Sequence, residues 1–244
     1  MMYDINVYAI PDGESNVKAK ASICFENSFK IEGIRLVDGK NGLFMSMPSY
    51  KVVNSPESEQ TFKNICYPNK ELWGKLQSDL IDAYGKACES GKRSYRSDCY
   101  GTPEQISVSN VRVTPQHGPG SLHGLATVTL NDSFYVNNIR IFENDKGEPF
   151  ISMPSFKRKA EGKDGKDEYR DVCYPVTADF RKEIIGKIKE EYAAARDKGL
   201  DSTDKSGEEF IPIPDEEISP FGGNPGIADE REKSAEVHRK PAAR

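Results

Sequence analysis

Three histidines and one tryptophan are spread over 244 residues. So little histidine leaves few metal or acid–base constellations to consider. The chain has no run of about 18 apolar residues, so a membrane-crossing helix is not expected. Met1-Met2-Tyr3-Asp4 carries neither the basic nor the apolar region of a secretory signal. Cysteines number five, an odd count, and lie far apart. That pattern argues against a disulfide scaffold and for a reducing, cytoplasmic setting. Net charge is also missing from most of the chain. The formal charge of −5 is matched by the segment from Asp201 onward alone, where eleven acids face six bases. The body is neutral, so any surface for nucleic acid is a local patch and not a global field.

A repeat is present. Residues 21–38, ASICFENSFKIEGIRLVD, return as 126–143, ATVTLNDSFYVNNIRIFE, with five of eighteen positions identical. Met47-Pro48-Ser49 returns as Met153-Pro154-Ser155, and FKNICYP at 62–68 returns as YRDVCYP at 169–175. This is a tandem duplication and not a solenoid, which needs three or more units. Residues 1–91 and 105–199 are the two expected domains, 92–104 the linker and 200–244 a tail.

Within each copy, alternating apolar residues predict strands, in the first at Tyr3–Ile10, Val17–Phe25, Phe29–Val37 and Leu43–Met47, with a short strand ending at Tyr67-Pro68. Proline stops that strand and suits a helix start. Leu72, Leu76, Leu80 and Tyr84, and then Phe180, Ile184, Ile188 and Tyr192, form one apolar stripe per helix. The fold class is α+β: two antiparallel sheets, each followed by one C-terminal helix. So few elements make a small core, and the repeats are expected to support each other as an intramolecular pseudo-dimer. Further homo-oligomerisation is compatible with this. The tail, rich in Pro, Gly, Asp and Glu, reads as disordered.

IRLVDGKNGLFMSMPS followed by FKNICYP and a helix resembles the stage V sporulation protein G (SpoVG) family. The second copy carries Ile139-Arg140, Phe150, Met153-Pro154-Ser155 and Tyr169-Arg170-Asp171-Val172, but reads Lys146-Gly147-Glu148-Pro149 where the family has NGLF. The resemblance covers about residues 3–90 and 106–197. It implies small sheet-plus-helix domains that dimerise, without enzymatic activity, and that bind DNA or RNA to regulate septation and sporulation.

That reading needs cations able to reach phosphate. Lys157-Arg158-Lys159 follows the Met-Pro-Ser turn, with Lys163 in the same loop; the first copy has only Lys51 there. Arg35 and Arg140 follow the same isoleucine in both copies, and Lys63 and Arg170 sit on the strand after the loop. Tyr50 and Phe156, at equivalent places beside the loop, are candidates for base stacking. His117 and His123 fall in a Pro/Gly-rich stretch and read as loop residues. Cys66 and Cys173 read as buried small apolar residues. No cofactor or metal is expected. The alternative to nucleic-acid binding is a scaffold that recruits a protein through its sheet edge or acidic tail.

Overall fold

The computed structural model describes residues 1–11, 15–51, 62–116, 121–144, 146–158 and 168–197. The acidic tail, Lys159, Lys163 and His117 lie outside the described residues.

The first repeat begins with β1 (Tyr3–Ala9), β2 (Val17–Phe25) and β3 (Phe29–Gly39), paired antiparallel in that order. Ile5 and Val7 are buried while Asn6 and Tyr8 are exposed, so the alternation seen in the sequence places one face of β1 on the core. Next come β4 (Gly42–Ser46), a ribbon of β5 (Ser49–Lys51) and β6 (Phe62–Asn64), β7 (Cys66–Pro68) and the helix α1 (Lys70–Glu89). Asn69 caps α1 by accepting the Leu72 N–H through its side chain at 2.9 Å. Leu72, Leu76, Leu80, Ala83 and Ala87 form its buried stripe.

The linker is more structured than its polar composition suggests. It contains β8 (Ser94–Arg96), which pairs with β1 and covers the edge of the first sheet. Ser97 Oγ accepts the Ile5 N–H at 2.9 Å, and Tyr3 and Tyr100 exchange backbone bonds at 3.0 and 2.8 Å. Short polar segments carry no period long enough to announce a strand, and this one is held by the edge it covers.

The second repeat follows the same order: β9 (Val108–Pro115), β10 (Leu122–Leu130), β11 (Phe134–Glu143), β12 (Pro149–Ser152), the ribbon β13 (Ser155–Arg158) and β14 (Glu168–Asp171), β15 (Cys173–Pro175), and α2 (Ala178–Asp197). The buried stripe of α2 is Phe180, Ile184, Ile188, Tyr192 and Ala195.

The repeats exchange strands. β7 of the first pairs with β11 of the second, setting Cys66 opposite Val136 and Pro68 opposite Phe134. Reciprocally, β15 pairs with β3, setting Cys173 opposite Ile31 and Pro175 opposite Phe29. Backbone bonds extend both junctions: Asn69 N–H to Ser133 O and Val176 N–H to Ser28 O, each 2.7 Å. The sheets are therefore six-stranded, β15-β3-β2-β1-β8 with β4 also on β3, and five-stranded, β12-β11-β10-β9 with β7 also on β11.

Two bulges permit this. Gly33 in β3 and Asn138 in β11 occupy equivalent positions and have φ of 76° and 57°. Left-handed backbone is open to glycine and tolerated by asparagine. At each bulge the edge of the long strand divides. One half holds its own hairpin partner, β4 or β12, and the other half receives the neighbour's strand.

The core crosses the same boundary. Phe25 meets Phe134 with ring centroids 5.2 Å apart, and Phe29 meets Phe180 of α2 at 6.2 Å. Tyr67 stacks on Tyr135 at 5.0 Å. Cys66 and Cys173 are both fully buried, and their thiols contact each other. Burial pushes the Cys173 thiol well up, and the neighbouring Cys66 adds to this, which fits core packing and not nucleophilic chemistry.

The junction also carries charge. Tyr174 of β15 donates its hydroxyl to Glu32 of β3 at 3.0 Å, and Lys30 pairs with the same carboxylate oxygen at 2.8 Å. Burial alone would raise the Glu32 pKa; the bonds from Lys30 and Tyr174 outweigh it, and the net shift is downward. A depressed carboxyl stabilises the fold above its ordinary value, and that contribution is lost as pH falls through the folded value. Glu32→Gln is therefore expected to reduce the acid sensitivity of unfolding below about pH 4.5, read by urea denaturation at pH 3.5, 5 and 7. Parallel acid limbs for the variant and the parent would remove Glu32 from this account.

Candidate nucleic-acid interface

The two ribbons are the structural counterparts of each other. Each leaves the Met-Pro-Ser turn, and in each the aromatic residue stands opposite a cation: Tyr50 opposite Lys63, and Phe156 opposite Arg170. Ile65 N–H bonds Pro48 O at 2.8 Å, and Val172 N–H bonds Pro154 O at 2.7 Å, so the turn is pinned to the end of its ribbon in both copies. That backbone bond fixes where each ribbon starts.

The ribbons differ in charge. Lys51 and Lys63 are exposed on the first. The second carries Lys157 opposite Tyr169, Arg158 opposite Glu168, and an exposed Arg170 beside Asp171. Lys159 and Lys163 continue its sequence outside the described residues.

Of the arginines after the repeated isoleucine, Arg35 is covered, whereas Arg140 is partly exposed near Tyr169 of the second ribbon. Arg35 is buried, with 8% of its surface exposed, and it has little to offer a phosphate. The reason is local: Ile34, Arg35, Leu36 and Val37 are buried in succession, so both faces of β3 are covered after the bulge. Arg140 is half-buried on β11, opposite Ser152. Burial lowers its pKa, with Tyr169 acting the other way. Glu143, the acid that follows Arg140 in sequence, takes Tyr192 Oη at 2.9 Å and Arg196 at 2.8 Å. His123 approaches the same carboxylate at 3.7 Å.

The aromatic expectation changes too. Tyr50 is 7% exposed and belongs to the core, and Phe156 is partly buried against it. Tyr50 therefore has no free face on which a base could stack. The exposed aromatics near the second ribbon are others: Tyr169 at 58% and Phe150 at 57%. Phe150 lies in β12 and Tyr169 in β14.

No group of three or more His, Cys, Asp or Glu among the described residues is placed to hold a metal ion. No described helix is long and apolar enough to cross a membrane.

Comparison with known proteins bears on the whole fold. The SpoVG family profile matches residues 1–86 and again 106–194. A SpoVG protein of Caldanaerobacter subterraneus subsp. tengcongensis, named for septation, is 40% identical over 88 residues, which is 36% of this chain and 90% of that protein. A SpoVG protein of Thermoanaerobacter sp. is 43% identical over 77 residues, 31% of this chain and 78% of its own length. One from Caldicellulosiruptor saccharolyticus is 36% identical over 90 residues, covering 36% and 96%. Each of these relatives has about the length of one repeat, and the ordered motifs occur here twice in one fold. The chain belongs to the SpoVG family, in a form with two copies of the family domain.

Proposed function

We propose that this protein is a non-enzymatic nucleic-acid-binding regulator acting in septation and sporulation, and that its second repeat makes the main contact. The septation role is supported by the names of the relatives. The observation that carries the binding role is the second ribbon, which sets Lys157, Arg158 and Arg170 on one hairpin, alongside Glu168 and Asp171, in a body whose net charge is zero. Phosphate contacts release counterions, so affinity falls steeply with salt.

The test is fluorescence anisotropy with labelled random-sequence DNA and RNA pools, titrated across salt. Changing Lys157, Arg158 and Lys159 together to Ala is expected to weaken binding and to lower the slope of log affinity against log salt by roughly two to three. Circular dichroism should remain that of the parent. Unchanged affinity at low salt would remove the ribbon from the interface. Exposed Val176 and Phe150 favour the second reading, a scaffold for a protein partner. No nucleic-acid binding at any salt, from folded protein, would select it.

A further inference from the structure

An open pocket of about 190 Å³ lies at the foot of the second ribbon, between β12, Asp171 at the end of β14, and the first turns of α2. Its walls are Ile151, Met153, Ile184 and Ile185, and its polar side chains are Ser152, Asp171 and Arg181. Phe150 lines it as well, stacked on Phe142 at 5.4 Å with an interplanar angle of 23° and still 57% exposed. Drug-sized ligands occupy pockets of ~300–1,000 Å³, so this one is on the scale of a single flat ring system.

Several positions that line the pocket carry other residue types in the first repeat. The two helices align with a constant offset, which puts Trp73 of α1 where α2 has Arg181. Trp73 is partly buried against the core. Gln77, in the place of Ile185, spends its side-chain oxygen on the Met45 N–H at 3.2 Å. Asn64 stands where the second repeat has Asp171. The first repeat thus replaces the cation, the carboxylate and part of the apolar wall at once.

We propose that this pocket receives one unstacked guanine of a single-stranded nucleic acid, with the Asp171 carboxylate reading the base and Phe150 stacking on it. The proposal rests on the nucleic-acid reading above and deepens it. Guanine presents two adjacent N–H donors on its Watson–Crick edge, at N1 and at the 2-amino group, and a carboxylate offers two matching acceptors. Adenine, cytosine and uracil do not present that pair. Single-stranded recognition works through such unpaired edges, with bases stacked on aromatic rings. The Asp171 carboxylate accepts a hydrogen bond from no described residue, so its acceptor capacity is unspent. Its neighbour Arg181 donates to Pro175 O at 3.3 Å and supplies positive charge at the pocket for the flanking phosphate. Asp171 is the last residue of β14, so the pocket adjoins the end of the ribbon.

The test uses the full chain and labelled 12-nucleotide uridine oligomers, with a single central guanosine, inosine, adenosine or no substitution, in anisotropy titrations at one low salt concentration. Guanosine is expected to tighten binding about tenfold over the plain oligomer. Inosine, which lacks the 2-amino group, should fall between, and adenosine should give no gain. Asp171→Asn is expected to abolish the guanosine gain, read as the ratio of guanosine-oligomer to plain-oligomer affinity of the same variant, while the loss of one negative charge beside Arg170 and Arg181 does not weaken plain oligomer binding. Phe150→Ala should lower the guanosine gain too, and retained circular dichroism and melting temperature show that either variant is folded. If the plain oligomer binds but guanosine adds nothing, or if Asp171→Asn keeps the gain, the pocket assignment is overturned while the ribbon stands. If no oligomer binds, the ribbon fails first and the pocket with it.

Discussion

Replacing Phe134 with Ala is expected to destabilise the protein by about 3–5 kcal/mol and to do so in both repeats together. Phe134 is fully buried on β11. It packs against Phe25 of the first repeat and stands opposite Pro68 of the exchanged strand. The cavity left by truncation would therefore lie at the boundary between the repeats, where neither can relax to fill it alone. The sole tryptophan offers a direct reading, since Trp73 sits in α1 of the first repeat. Urea unfolding followed by Trp73 fluorescence should shift to lower denaturant by the same amount as unfolding followed by circular dichroism. A Trp73 transition that stays in place while part of the dichroism is lost would mean that the repeats unfold independently, contrary to the exchanged-strand core.

Cutting the chain between the repeats is expected to have a still larger effect. A fragment of residues 1–104 keeps β1 to β4 and α1 but loses β15, so the Phe29–Ile31 edge of β3 goes unpaired. It also keeps β7 without β11, the strand that β7 pairs with. Phe29 loses Phe180, and Phe25 loses Phe134. We expect this fragment to be either unfolded or a dimer that repeats the exchange between two copies, since an exchanged element is satisfied equally well by a second chain. Adding residues 105–244 should restore a one-to-one complex, at weaker apparent affinity than the tethered form because the linker supplies effective concentration. Sedimentation and circular dichroism decide it. A monomeric fragment with a cooperative melt at the parent midpoint would show that each repeat is self-sufficient.

Much of this molecule could be read in one dimension. The alternation in Tyr3–Ala9, the four-residue spacing of Leu72, Leu76 and Leu80, and the prolines closing the short strands are local signals. A strand or helix with one buried face must write its period into the chain. The duplication was equally plain, because Met-Pro-Ser and Cys-Tyr-Pro recur in order. Cys66 and Cys173 could be matched by sequence before their thiols were seen in contact.

What lay outside that reading depends on partners distant in the chain. FKNICYP looks the same whether it pairs within its own repeat or across to β11, because the backbone donors and acceptors of a strand are identical on every edge it could join. The bulges at Gly33 and Asn138 decided the matter by splitting the edges of β3 and β11. The same bulge precedes the run of buried residues that holds Arg35, a residue that periodicity would leave in solvent. The linker strand β8 exists because the edge of β1 was available to it. Asp171, Phe150 and Arg181 are ordinary in sequence, lying on two strands and a helix. They face one pocket only because the ribbon is pinned at Pro154 and α2 starts at a fixed distance beyond Pro175. The elements, their buried faces and their repetition follow from local spacing and side-chain chemistry, and so were already present in the order of residues. Which edges pair and which side chains converge was settled in three dimensions, by contacts that close only when the two repeats fold around each other.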